Sequence, residues 1–156
     1  VVCMNVGRIE QVGLPEDLYQ RPQSRFVAGF IGTPAINIHE LMPRDGGLYC
    51  GTHRLQGFEG AHGSGLTLGL RPEHITFSEN GMAGQVETVE MMGRETLYAL
   101  DTPLGALRVL EAGALPQYGA GDQVRINWSA DALMLFAADG SRIDAQGLAL
   151  REEAMA

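Results

Sequence analysis

The sequence predicts a mainly β protein: a small barrel or sandwich of seven or eight short strands behind a short α+β segment. Three observations predict it. The 156 residues include 21 glycines, many of them standing between short alternating apolar runs, the spacing of strands joined by turns rather than of a helical bundle. Hydrophobic residues make up 45%, enough to build a core and too many for a chain disordered by composition. The clearest single stretch runs from Leu66 to Phe77. Leu66, Leu68 and Leu70 fall on one face and Thr67, Gly69 and Arg71 on the other, the period of two of a half-buried strand. Pro72 removes a backbone donor, so the ladder breaks there or runs along an edge. Ile75 and Phe77 resume the alternation, which sets Arg71, Glu73 and His74 around a rigid corner.

In chain order, Val1 to Met4 reads as a short strand, Asn5 to Arg8 as a tight turn, and Ile9 to Val12 as the returning arm of a hairpin. Pro15 suits the first position of a helix, with Glu16 and Asp17 favourable near its positive end. Leu14 holds the cap position without a side-chain acceptor, a loss of about 1 kcal/mol. Pro22 stops that helix near Arg21. Ser24 can cap a second helix, in which Phe26 with Phe30 and Val27 with Ile31 share an apolar face, and Gly32 supplies its end. So little structure buries little surface by itself. Residues 1–33 are therefore expected to be the tail of another domain, and the chain, which opens on Val1, a piece of something longer.

From Ile36 the texture changes to short strands and glycine turns. Leu48 to Cys50 follows the Asp45-Gly46-Gly47 turn, and a glycine-rich loop from Phe58 leads to the Leu66 strand. Asn80-Gly81 is the strongest turn signal in the chain. Gln85 to Glu90 and Glu95 to Leu100 pair around Met91 to Arg94. Gly105 to Leu110 alternates, Val124, Ile126 and Trp128 alternate after the Gly119 to Asp122 turn, and Leu133 to Phe136 precedes the Asp139-Gly140 turn toward Ile143. Residues 34–146 form the β module. Residues from about Asp144 onward carry helix-forming types, and 147–156 are expected to be an unpaired tail.

Composition removes several function classes. The formal charge of −8 opposes binding to nucleic acid or to anionic lipid. All 11 basic residues are arginine, which excludes a Walker A loop, a Schiff-base lysine and a lysine base. No apolar run reaches the roughly 18 residues of a spanning helix, and no leader pattern is read. Cys3 and Cys50 lie in apolar, strand-like contexts and read as buried free thiols, in keeping with a reducing cytoplasm.

Candidate sites each meet a plainer reading. His39, His53, His62 and His74 lack metal-ligand spacing, so no metal site is expected. Gly60, Gly63 and Gly65 suggest a phosphate cradle, but a strand rather than a helix follows them, and they read as a loop. His62-Gly63-Ser64-Gly65 lacks the context of a nucleophile elbow. Arg71, Glu73 and His74 are read as bracing the Pro72 corner through carboxylate or carbonyl contacts, or as facing a partner. No catalytic residue is assigned.

Several stretches resemble a known family. Val1 to Tyr19 looks like the end of the ATP-binding subunit of a sugar-type ABC importer, and Arg25 to Pro34 resembles that family's linker out of its ATPase domain. Gly69 to Ile75 is similar to the signature of the family's C-terminal TOBE domain. Gly121-Asp122-Gln123-Val124, and Leu135-Phe136 with Gly140, resemble that domain's closing strands. Leu14 departs from a usual capping Thr, and residues 44–65 are short and glycine-rich by comparison. The resemblance implies an OB-like, TOBE/MOP-like barrel that packs against its copy in an ATPase homodimer and can bind regulatory proteins.

It further implies a parent ATPase for carbohydrate or glycerol-3-phosphate uptake, with ATP and Mg held upstream of Val1. The fragment itself would bind no cofactor and catalyse nothing. Partners would be a second copy and, through the ATPase domain, transmembrane permease subunits. The location would be cytoplasmic, peripheral on the inner membrane face, without insertion. Arg71, Pro72, Glu73 and His74 would form a regulatory or dimer corner. An alternative reading is a sensor of an oxyanion or sugar phosphate, with Arg94 and Arg108 joining Arg71 as anion contacts. Oligonucleotide binding, known for OB folds, is opposed by the charge and by the inward-facing pattern of Trp128.

Overall fold

The computed structural model describes residues 1–60 and 64–153; His62 and Gly63, and with them part of the glycine loop, lie outside the described residues. The chain opens with β1 (Val2–Asn5), β2 (Arg8–Val12), α1 (Pro15–Gln20) and α2 (Arg25–Phe30). The body follows as β3 (Asn37–Glu40), β4 (Met42–Arg44), β5 (Gly47–Cys50), β6 (His53–Gln56) and β7 (Thr67–Leu70). After a 3-10 turn at Pro72–His74 come β8 (Ile75–Met91), β9 (Glu95–Thr102), β10 (Gly105–Ala112) and β11 (Gln123–Trp128). The last elements are β12 (Met134–Phe136), β13 (Arg142–Ile143) and β14 (Ala149–Glu152).

The first four elements follow their local signals. Pro15 starts α1, Leu14 caps it without a side-chain bond, and the Ser24 side chain accepts from Val27 N at the start of α2. In the hairpin, Cys3 and Gln11 pair on the face turned toward the helices. There Cys3, Leu18 and Val27 form a small core. Phe30 shares a face with Phe26, their rings stacked at 5.8 Å between centroids, but that end of the face is exposed rather than buried.

The mainly β, OB-like class holds, but the ladders do not close into one barrel. Three four-stranded antiparallel sheets, ordered β10-β9-β8-β11, β13-β12-β7-β3 and β14-β6-β5-β4, wrap a common core. The body has twelve described strands against the seven or eight expected, because several pairings involve only two to four residues. Leu41, Leu48, Leu68, Leu70, Tyr98, Leu100, Val109, Ile126 and Leu135 meet in that core. Trp128 is half-buried and packs against its rim.

Three expectations are corrected by packing. The Leu66 stretch is buried on both faces, since β7 lies between β12 and β3 and all four of its residues are buried. On the face that carries Gly69 lies a second cluster of Ala28, Ile36, Met134 and Phe136. A Cβ on Gly69 would stand 3.0 Å from both Ile36 and Phe136, so the missing side chain makes room for this cover.

Asn80-Gly81 is not a hairpin turn but an interruption inside the single strand β8. β11 pairs on both sides of it, Ile126 with Phe77 and Arg125 with Ala83. Gly81 has φ +127° there, and a Cβ would lie 2.3 Å from the Ile126 carbonyl. The residues between are held by the Asn127 amide, which donates to Ser78 Oγ at 2.9 Å and to Asn80 O at 2.8 Å. This is bulge geometry.

The described end of the chain is also paired. Ala149–Glu152 add to the edge of β6 as β14, with Leu148 buried beneath. An open strand edge has overridden local helix preference.

Candidate functional site

Arg71 is wholly buried, at 0% exposure, where the hairpin–helix unit meets the β body. β7 delivers it to the covered face, and Pro72 turns the chain away behind it. Its Nη1 donates to Ile31 O at 2.9 Å and Ala28 O at 3.3 Å, and its Nη2 donates to Tyr19 O at 2.8 Å. These three carbonyls stand at or beyond the ends of α1 and α2, where helical acceptors lack partners of their own. The guanidinium also lies over the Tyr19 ring at 4.1 Å, a cation–π contact. Gly32, at φ +112°, leaves the needed space: a Cβ there would be 2.9 Å from Nη1.

The other corner residues close the arrangement. The Tyr19 hydroxyl donates to Glu73 Oε2, and His74 meets the Tyr19 ring edge-on at 6.1 Å. Burial, reinforced by the bond and the charge of Glu73, pushes the Tyr19 hydroxyl up to about 12. Burial pulls the Arg71 guanidinium below its usual range, against the opposing influence of Tyr19 and Glu73. Arg71 Nε and Glu73 Oε1 are buried without partners. The corner is chemically a clamp between carbonyls, a ring and a carboxylate.

Arg94 and Arg108 are not brought together. Arg108 pairs with Ala99 across the β9–β10 ladder, five residues along from Arg94, a separation of about 17 Å at strand rise. Arg94 is exposed in the β8–β9 turn. Arg108 donates through Nη2 to Ala35 O at 3.1 Å, and its backbone is bracketed by Asn37. The Asn37 amide accepts from Arg108 N at 2.9 Å and donates to Arg108 O and Leu70 O, each at 3.0 Å.

Among the described residues no group of three or more His, Cys, Asp or Glu side chains could hold a metal. Cys3 and Cys50 are buried and free, and burial pushes the Cys50 thiol up to about 11. No described helix is long and apolar enough to cross a membrane.

Sequence reasoning missed Tyr19, Asn37 and Arg142. Tyr19 lies 52 residues from Arg71 and Asn37 lies 71 from Arg108, so no local pattern ties either pair. Arg142 sits on the two-residue strand β13, where Arg142 N donates to Gln23 O at 2.8 Å and Nη1 to Pro22 O at 3.2 Å. It joins the β body to the segment between the helices.

The profile of the TOBE domain matches residues 68–136, a span that holds the Arg71 corner. The chain is 39% identical over 111 residues to the sn-glycerol-3-phosphate import ATP-binding protein UgpC of Salmonella paratyphi A, covering 62% of this chain and 30% of that protein. It is 36% identical over 163 residues to the xylose/arabinose import ATP-binding protein XacK of Haloferax volcanii, covering 93% and 41% respectively. With the maltose/maltodextrin import ATP-binding protein MalK of Yersinia pestis the identity is 34% over 116 residues, covering 66% and 31%. The chain thus spans less than half the length of these curated relatives and falls on their C-terminal part.

Proposed function

Since this chain carries a TOBE domain and is homologous to the C-terminal part of the ATP-binding subunits of sugar and glycerol-3-phosphate ABC importers, we propose that it is the regulatory and dimerising end of such a subunit. The parent would couple ATP hydrolysis to uptake of a carbohydrate or glycerol-3-phosphate. ATP and Mg belong, in this reading, to the parent's ATPase domain. So do the contacts with the permease subunits that hold the protein at the inner face of the membrane. The TOBE body contributes a surface for its second copy and for regulatory proteins.

The observation that carries the reading is the Arg71 clamp. It ties the TOBE body to Ala28 and Ile31, in the stretch that resembles the linker out of the ATPase domain, and to Tyr19, in the stretch that resembles the end of the ATP-binding subunit. A body fastened at that point moves with the linker, which is what a regulatory end needs in order to act on an ATPase. Light scattering on a protein that includes the ATPase domain tests the proposal. A dimer is expected with ATP bound, and a strict monomer under those conditions overturns it.

A second reading, a small-ligand sensor, is favoured by one feature. Arg142, half-buried beside a cleft, has no carboxylate within ion-pair distance among the described residues.

A further inference from the structure

A cleft of about 570 Å³ runs between the end of β2 and α1 on one side and β13 on the other. Its walls are mostly polar: Gln11, Asp17, Arg21, Gln23, Arg142 and Asp144. Gln11 is already committed, donating to Arg21 O at 3.1 Å and accepting from Gln23 N at 2.9 Å. Arg21 pairs with Asp17. Arg142 is different. Only its Nη1 is bonded, to Pro22 O; Nε is buried without a partner, and Nη2 has none among the described residues.

A guanidinium withdrawn from water normally finds a counter-charge. Phe136, whose ring centroid is 5.9 Å from the Arg142 guanidinium carbon, offers only a weak substitute. Burial lowers the Arg142 pKa; Asp144 opposes that, and the nearby Arg71 charge adds to it. A bare oxyanion would meet Arg142 but would also meet the charge of Asp144 on the same side of the cleft and of Asp17 on the opposite side. A ligand with an anionic end and hydroxyl groups satisfies both, because hydroxyls can donate to carboxylates while the anion accepts from the arginine.

We propose that this cleft binds a phosphorylated polyol, with its phosphate on Arg142 and its hydroxyls on Asp144, Asp17 and the Gln23 side chain. The proposal deepens the sensor reading. It puts the ligand at the seam between the hairpin–helix unit and the TOBE body, rather than at Arg94 or Arg108. Occupancy there would bear on both sides of the junction that the Arg71 clamp holds.

Calorimetry on the 156-residue chain at low ionic strength, with glycerol-3-phosphate, inorganic phosphate and glycerol as probes, tests it. Saturable binding of glycerol-3-phosphate is expected, at least about tenfold tighter than phosphate, with no heat from glycerol. R142Q should lose the binding. D144N, at an exposed position, should fold normally and bring the two anions toward equal affinity. Absence of saturable heat with glycerol-3-phosphate overturns the proposal, as does equal affinity for phosphate in the unaltered chain or binding undiminished in a folded R142Q. None of these results depends on dimerisation, so the regulatory reading stands or falls separately by light scattering.

Discussion

The guanidinium of Arg71 lies 4.1 Å above the ring of Tyr19 while its Nη2 donates to the carbonyl of the same residue at 2.8 Å. One tyrosine thus meets the buried charge through its π face and through its backbone. Its hydroxyl reaches on to Glu73. Two segments more than fifty residues apart are locked by three kinds of contact.

Replacing Arg71 tests the lock. R71M would strand the carbonyls of Tyr19, Ala28 and Ile31 in a buried place and should cost about 2–4 kcal/mol in urea denaturation. R71K keeps the charge but loses the fork, and should fall between the two. A loss below about 0.5 kcal/mol in R71M would show that the carbonyls find other partners.

G32A should destabilise the chain by about 1–3 kcal/mol. Alanine is strained at φ +112°, and its Cβ would meet Nη1 at 2.9 Å. If the clamp is the neighbour that gives way, the cost of G32A in an R71M background should be clearly smaller, which a double-mutant cycle would read.

Tyr19 predicts a pH dependence. Its folded-state pKa is raised from 10.0 to about 12, so between those values the folded state holds a proton that the unfolded state has released. Stability is full below about pH 10 and falls as pH rises toward 12. Chemical denaturation at stepped alkaline pH should show a shallower decline in Y19F than in the unaltered chain.

N37A should cost about 1–3 kcal/mol, because it leaves Arg108 N and the carbonyls of Arg108 and Leu70 without their side-chain partner. The amides of β10 should exchange faster near Arg108 and remain unchanged in β14. Uniform acceleration across both strands would mean that Asn37 acts globally rather than on that edge.

Much of the fold is legible in local chemistry. The hairpin, the Pro15 start, the Ser24 cap and the Pro72 corner depend on dihedral limits and on hydrogen bonds within a few residues. The alternations of the strands at 105–110 and 124–128 likewise name their buried sides correctly. Asn80-Gly81 misleads because the same dihedral freedom serves a turn or a bulge, and the choice belongs to β11, more than forty residues away. The candidate site is less legible. Arg71 stands out from its position before Pro72, but its partners come from helices forty or more residues earlier. Arg94 and Arg108 share only their charge; the strand register separates them.

Periodicity and proline placement determine that the Leu66 to Phe77 stretch is a strand ending in a corner, because strand alternation and the proline ring are properties of the local backbone. They do not determine what lies over the strand's second face. That is decided by Ala28, Ile36, Met134 and Phe136, gathered from α2, β12 and the segment between α2 and β3. Arg71, at the end of that strand, is wholly buried against Tyr19, Ala28, Ile31 and Gly32, and a guanidinium without water must take its hydrogen bonds from carbonyls that folding brings within reach. Local sequence places Arg71 at a corner that it could brace; which carbonyls it braces against, those of Tyr19, Ala28 and Ile31, is decided only in three dimensions, where it fastens the helices to the TOBE body.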